Sequence, residues 1–296
     1  MDNVVVIAGT ASNGIAKNVA RLIKSELIHI QSKILPDGES YIRIPEEVAN
    51  KIVVIVQSLY PPQDKHIMEL LLMMDAAKGY GAYKIVLVVP YLAYARQDMR
   101  FLPGEPVSIE LLLRVLHREG AEMIITVDPH KPDSLVAFAG KYVIIKPTKL
   151  FADAIKENPN DIVVLAPDGK AIAAAQELSS ILKTQYTFVE KERDRATGEI
   201  MLKSVRPFDF KNKKVIIIDD IISTGKTMAQ AAKFAKENGA GDVIAAATHL
   251  ITSGECCELM KASGISRIIG TNTIPNDKAE LIDISGMIAE SILKGL

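Results

Sequence analysis

Eight short runs rich in Val and Ile, at residues 4–8, 52–57, 85–89, 123–127, 162–166, 215–218, 243–248 and 267–270, alternate with amphipathic stretches long enough for helices. A strand that is apolar on both faces needs cover on both faces. Strands separated by helices can supply that cover only in parallel sheets flanked by helices on each side. The fold class is therefore α/β. With 296 residues and 48% hydrophobic content, the chain buries more than one core's worth of surface, which points to two domains rather than one.

A glycine recurs where a helix hands over to a strand: Gly81 before Ile85, Gly120 before Met123, Gly239 before Val243 and Gly264 before Arg267. Glycine suits the left-handed residue that ends a helix, so each junction reads as a C-cap followed by a strand. Aligning residues 51–97 with 213–254 gives the same order of strand, loop, helix, Gly-Ala turn, strand and loop. Two similar domains are expected, at 1–146 and 147–296, the boundary resting on a count of elements.

Thirty-five Lys and Arg against 36 Asp and Glu leave no bulk field for nucleic acid or an anionic membrane, so any anion must be held by a local site. The only cysteines, Cys256 and Cys257, are adjacent, which suits neither a disulfide framework nor a spaced zinc motif and implies a reducing, cytoplasmic setting. The apolar run after Asp2 is too short for a signal segment or a membrane span and reads as a first strand.

The sharpest local signal is the run from Val215 to Ile218, followed by Asp219, Asp220, Ile221, Ile222, Ser223, Thr224, Gly225, Lys226 and Thr227, then an Ala-rich helical stretch. A buried strand leading through a Ser/Thr/Gly turn into a helix gathers N–H groups and hydroxyls around an anion. The two acids would not face that phosphate; they suit sugar hydroxyls or a metal's water shell. The G-x-x-x-x-G-K-[ST] spacing of a nucleotide P-loop is missing. An ordinary turn with Ser223 as N-cap is the plainer alternative.

This segment resembles the loop shared by phosphoribosyltransferases and ribose-phosphate diphosphokinases, and four further segments resemble the diphosphokinase family in order and spacing. Leu35-Pro36-Asp37-Gly38-Glu39 looks like its nucleotide loop, though Pro-Asp-Gly by itself is a turn. Arg96, in Tyr94-Ala95-Arg96-Gln97-Asp98, offers a fork of donors to a polyphosphate, or is a solvated arginine. The following residues 99–106 read as a mobile loop that closes over the nucleotide. His130, ending Thr126-Val127-Asp128-Pro129-His130, resembles a residue contacting the metal or phosphates of Mg-ATP; read alone it is a capping or core histidine. Pro129 replaces the family's leucine, so metal ligation is not carried to Asp128. Asp168, in Leu165-Ala166-Pro167-Asp168-Gly169, resembles an aspartate meeting magnesium on the ribose side, or caps the next helix. Lys191 and Arg193, before a polar flap at 194–199, match residues that neutralise the transferred phosphates; a charge run is otherwise a solvated hairpin.

The resemblance implies two phosphoribosyltransferase-like domains, magnesium as cofactor, and ATP and ribose 5-phosphate as substrates. It assigns Asp37, Gly38, Glu39, Arg96 and Gln97 to ATP, Arg193, Asp219, Asp220 and Ser223 to Thr227 to ribose 5-phosphate, and His130 and Asp168 to metal. Lys191 and Arg193 are the catalytic pair, the site is expected between the domains, and a neighbouring subunit completes the nucleotide site, implying a homo-oligomer. A lone phosphoribosyltransferase would leave the duplicated half and Lys191-Glu192-Arg193 unexplained. A silent regulatory subunit fits less well, because the chain is compact and keeps both cations.

Overall fold

In the computed structural model of the chain, residues 3–193, 200–204, 208–252 and 255–296 are described, with backbone alone at 191–193 and 200–204. They form two units, Met1–Ile145 with Asp283–Leu296, and Lys146–Ile282.

The first unit runs β1 (Val4–Ala8), α1 (Ile15–Ile23), β2 (Glu26–His29), β3 (Gln31–Ile34), β4 (Ser40–Arg43), β5 (Ile52–Val56), α2 (Gln63–Gly79), β6 (Lys84–Val89), α3 (Ser108–Arg118), β7 (Ala121–Val127) and β8 (Lys141–Ile145). Its main sheet has the order β2-β1-β5-β6-β7-β8, with every pairing parallel. β3 and β4 form a separate antiparallel hairpin. In the second unit, α4 (Thr148–Ile155), β9 (Ile162–Ala166), α5 (Ile172–Leu182), β10 (Gln185–Arg193), β11 (Ile200–Ser204), β12 (Lys214–Ile222), α6 (Lys226–Glu237), β13 (Asp242–Leu250), α7 (Cys256–Ala262), β14 (Arg267–Thr271) and β15 (Glu280–Ile282) follow. Here the order is β11-β10-β9-β12-β13-β14-β15, parallel except where β11 meets β10.

All eight apolar runs are strands. In the second sheet, Val163, Leu165, Val215 and Ile217 pack with α6 and α7 on one face. Val164, Ile216, Ile218 and Ile244 pack with α4 and α5 on the other. Each such fully buried Val or Ile contributes roughly 1.5–3 kcal/mol of hydrophobic stabilisation, which is why an uninterrupted apolar run folds only as a doubly covered strand. Gly81, Gly120, Gly239 and Gly264 all take positive φ, as a helix-ending glycine requires.

Two expectations need correction. The last helix, α8 (Ser285–Gly295), belongs to the first unit and not to a domain spanning 147–296. Its return is fixed by Asn18 Nδ2 donating to Asp283 Oδ2 at 2.9 Å and by Lys141 Nζ donating to the Gly295 carbonyl at 3.0 Å. Counting elements along the chain cannot detect a terminal helix that goes back to the first core. The strand expected to end in Asp219 and Asp220 also continues to Ile222, so both acids lie within β12 and not at its end.

Both sheets grow in one direction from their first strand and then in the other, from β1 to β2 before β5, and from β9 to β10 before β12. The chain reverses between β1 and β5, and again between β9 and β12. Beyond the C-terminal ends of such strand pairs lies the crevice where open α/β sheets bind ligands.

Candidate active site

At the second unit's reversal point, Leu165 pairs with Ile217, so Asp168, two residues beyond β9, leaves the sheet beside Asp219 and Asp220. Burial pushes the Asp219 carboxyl up to about 8, reinforced first by the charge of Asp220 and more weakly by that of Asp168. Three carboxyl groups from two adjacent strand ends are thus near enough to feel one another. Asp168 Oδ1 accepts from the N–H groups of Lys170 at 2.9 Å and Ala171 at 3.4 Å. It caps the short turn at Gly169–Ala171 that opens α5, which is the structural role its sequence context allowed. Its second oxygen makes no hydrogen bond among the described residues.

Past Ile222 the chain turns through half-buried Ser223 and exposed Thr224 into α6. The N-cap is Gly225, in the left-handed region at φ 73°, and no side chain caps the helix. The Ser223 capping alternative is therefore not the one adopted. Among the described residues the hydroxyls of Ser223, Thr224 and Thr227 have no hydrogen-bond partner. The first N–H groups of α6 lie beside them, with a positive helix end and Lys226 at its first position. Ser223, Thr224, Gly225, Lys226 and Thr227 accordingly form an open anion cradle next to the acid cluster.

Lys191 and Arg193 lie near the end of β10, paired with Leu202 and Ile200 of β11. Both therefore sit on a strand. Their side chains, and the flap at 194–199, lie outside the described residues.

In the first unit, the loops after β6 and β7 are tied together by Lys131 Nζ and Asp98 Oδ2 at 2.7 Å. Lys131 holds the Asp98 carboxyl below its ordinary range, with a smaller contribution from the nearby His130. Gln97 Oε1 accepts from Ser108 Oγ at 2.5 Å at the start of α3. Arg96, directly before these anchors, is exposed. Residues 100–105 are organised locally: Arg100 Nε donates to the Glu105 carbonyl at 2.9 Å, and Glu105 Oε2 accepts from the N–H groups of Phe101 and Leu102. Asp37, Gly38 and Glu39 form the exposed tip of the β3–β4 hairpin, where Asp37 Oδ1 accepts from Glu39 N at 3.2 Å. His130 belongs to this unit and Asp168 to the other, and among the described residues no group of three or more His, Cys, Asp and Glu could hold a metal.

The first unit's own reversal point shows what a closed version of the cradle looks like. The internal repeat sets Gln57 and Ser58 where β12 has Asp219 and Asp220. Gln57 is fully buried; its Oε1 accepts from Ala11 N at 3.0 Å and its Nε2 donates to Thr10 Oγ1 at 3.1 Å. Thr10 in turn donates to buried Glu69 at 2.5 Å. These polar groups satisfy one another; in the second unit the corresponding Asp219 Oδ1 accepts from Asp220 N at 2.9 Å, and the two carboxyls sit side by side. The neutral pair Gln57-Ser58 was readable in the sequence repeat as the mark of an altered site. The Asp98–Lys131 tie was not, because it joins loops of different strands.

Residues 4–120 match the family model for the N-terminal domain of ribose phosphate pyrophosphokinase, and residues 139–278 match that for the phosphoribosyl transferase domain. The ribose-phosphate pyrophosphokinase of Sulfurisphaera tokodaii is 43% identical over 97% of this chain and 100% of its own length, and that of Methanopyrus kandleri is 33% identical over 97% and 98%. A crystal structure of the phosphoribosylpyrophosphate synthetase from Mycobacterium smegmatis is similar at a TM-score of 0.90 and 29% identity, covering 100% of both chains. The carboxylate cluster beside an open anion cradle thus stands in a chain whose similarity runs through both units, and the chain belongs to the ribose-phosphate pyrophosphokinase family of enzymes.

Proposed function

We propose that this chain transfers the β,γ-diphosphate of ATP to the C1 hydroxyl of ribose 5-phosphate, giving 5-phosphoribosyl 1-diphosphate and AMP. The observation that carries this reading is the cradle Ser223 to Thr227 set beside Asp219 and Asp220. A phosphate monoester fits hydroxyls and helix N–H groups, while the adjacent carboxyls suit the hydroxyls of the same sugar. In this reading the C1 oxygen attacks the β-phosphorus, the bond from that phosphorus to the α,β-bridging oxygen breaks, and AMP leaves with the electron pair. The hydroxyl proton passes to solvent, since the anomeric hydroxyl is acidic for an alcohol.

Positioning and cations then supply most of the acceleration. Lys191 and Arg193 are assigned to the phosphate oxygens that gain charge, and Arg193 also to ribose 5-phosphate. Arg96 and Gln97, with Asp37, Gly38 and Glu39, are assigned to ATP. Magnesium fits the donor set on the ribose side: Asp168 keeps one oxygen outside its capping bonds, and magnesium commonly takes only one or two carboxylates, with phosphate and water completing its shell. When bound it would neutralise diphosphate charge. His130 is assigned to Mg-ATP more weakly, because an imidazole nitrogen is a poor magnesium ligand.

Among the described residues the nucleotide hairpin tip makes only local bonds, which supports completion of that site by a second copy of the chain, hence a homo-oligomer. Among the described residues no helix is long and apolar enough to cross a membrane. Buried, unpaired Cys256 and Cys257 support a reducing, cytoplasmic setting. Chromatographic measurement of AMP tests the reaction: release strictly dependent on ribose 5-phosphate is expected, and ADP in its place would overturn it.

A further inference from the structure

The ribose-phosphate cradle lacks the local bonds that commonly fix a strand-to-helix turn. No side chain caps α6, and among the described residues no hydrogen bond holds the hydroxyls of Ser223, Thr224 or Thr227. Something else must hold the cradle's shape. The neighbour that presses on it is α7. A Cβ placed on Gly225 would lie 2.8 Å from Cys256 Sγ, 3.1 Å from Met260 Cγ and 3.2 Å from the Cys256 carbonyl oxygen, so the backbone of residue 225 rests against that helix. Cys256 and Met260 are buried in the same core as Met228, two residues into α6. Both are almost fully enclosed, at 2% and 0% exposure.

We propose that Cys256, supported by Met260, is a positioning residue that sets the shape of the cradle and hence the affinity for ribose 5-phosphate. This rests on the reading of Ser223 to Thr227 as the ribose 5-phosphate site. The choice of residue is chemically apt. A short thiol fills the space beside Gly225 without a branch, and burial, with the neighbouring Cys257 and Glu258, pushes it up to about 11. The thiol therefore stays neutral and adds no charge of its own beside the phosphate site. A larger side chain at 256 would drive the N-cap of α6 toward the ligand. A smaller one would remove the wall and leave the turn free to shift.

The test is calorimetric binding of ribose 5-phosphate, with AMP production measured alongside, for the full-length protein and for Cys256→Ala, Cys256→Leu and Cys257→Ala. Cys257 is buried in the same helix but is not among the nearest neighbours of Gly225. Affinity for ribose 5-phosphate is expected to fall about threefold in Cys256→Ala and about tenfold or more in Cys256→Leu, as overpacking and cavity effects would cause. The KM for ATP should hold in both. Cys257→Ala should lower the melting temperature without changing either constant. If Cys256→Leu does not fold, Cys256→Ala and the volume-conserving Met260→Leu still decide the matter. Unchanged ribose 5-phosphate affinity in the folded variants would overturn the inference while leaving the reaction intact, as would an equal loss for both substrates. Failure of the unaltered protein to bind ribose 5-phosphate would overturn the assignment of the cradle itself.

Discussion

Lys131 Nζ stands 2.7 Å from Asp98 Oδ2, and this one ion pair joins the loop after β6, which carries Arg96 and Gln97, to the loop after β7, which carries His130. The carboxylate side is largely shielded while the lysine is open to solvent, so the pair matters more for holding two loops in register than for stability.

Lys131→Ala should therefore raise the KM for ATP severalfold, about three- to tenfold as expected for a misplaced binding loop. The melting temperature and the affinity for ribose 5-phosphate should change little. Initial rates with each substrate varied in turn check this, and an unchanged KM for ATP would contradict the assigned role of these loops.

The acid cluster gives a pH dependence with a definite sign. Folding raises the Asp219 carboxyl from 3.8 to about 8, so the folded chain keeps a proton that the unfolded chain releases. Its contribution to stability is fullest below the unfolded value and is lost as pH rises through about 8. Between roughly pH 5.5 and 8.5, above the range in which ordinary carboxylates titrate, the melting temperature should fall for the unaltered protein and fall less for Asp219→Asn. The same substitution should weaken ribose 5-phosphate binding. Parallel melting curves across that range would contradict the cluster's electrostatics.

Gly9→Ala probes the closed pocket of the first unit. A Cβ there would meet Gln57 Oε1 at 2.2 Å, pushing aside the amide that accepts from Ala11 N. Losing a buried hydrogen bond without replacement costs about 1–3 kcal/mol, read as a lower midpoint in urea unfolding. A midpoint unchanged from that of the unaltered protein would show that the pocket relaxes freely.

Lys191→Ala should lower kcat by about a hundredfold or more, the scale for removing one group that stabilises transition-state charge, with a much smaller change in ATP affinity. Equal losses in both would remove Lys191 from the catalytic pair.

The α/β class and all eight core strands were legible because burial on both faces leaves a run of Val and Ile that little else explains. The glycine junctions marked four helix ends for the same local reason: only glycine takes the left-handed conformation without strain. Exposed strands such as β3 and β4, with polar residues on both faces, carried no such signal. Neither did the return of α8 to the first unit, which depends on contacts such as Asn18 with Asp283 across most of the chain. The cradle was visible as a motif, since Asp219 to Thr227 is continuous in sequence. Its surroundings were not: Asp168 reaches it by sheet register, and Cys256 by the packing of α7 on Gly225.

Phosphorus NMR of the protein with ATP, ribose 5-phosphate and magnesium tests the central claim most directly. The account predicts that AMP appears together with a diphosphate attached to ribose C1, and only when both substrates are present. Silence in that mixture, followed by turnover once a nucleobase and preformed 5-phosphoribosyl 1-diphosphate are supplied, would contradict it and make the chain a phosphoribosyltransferase.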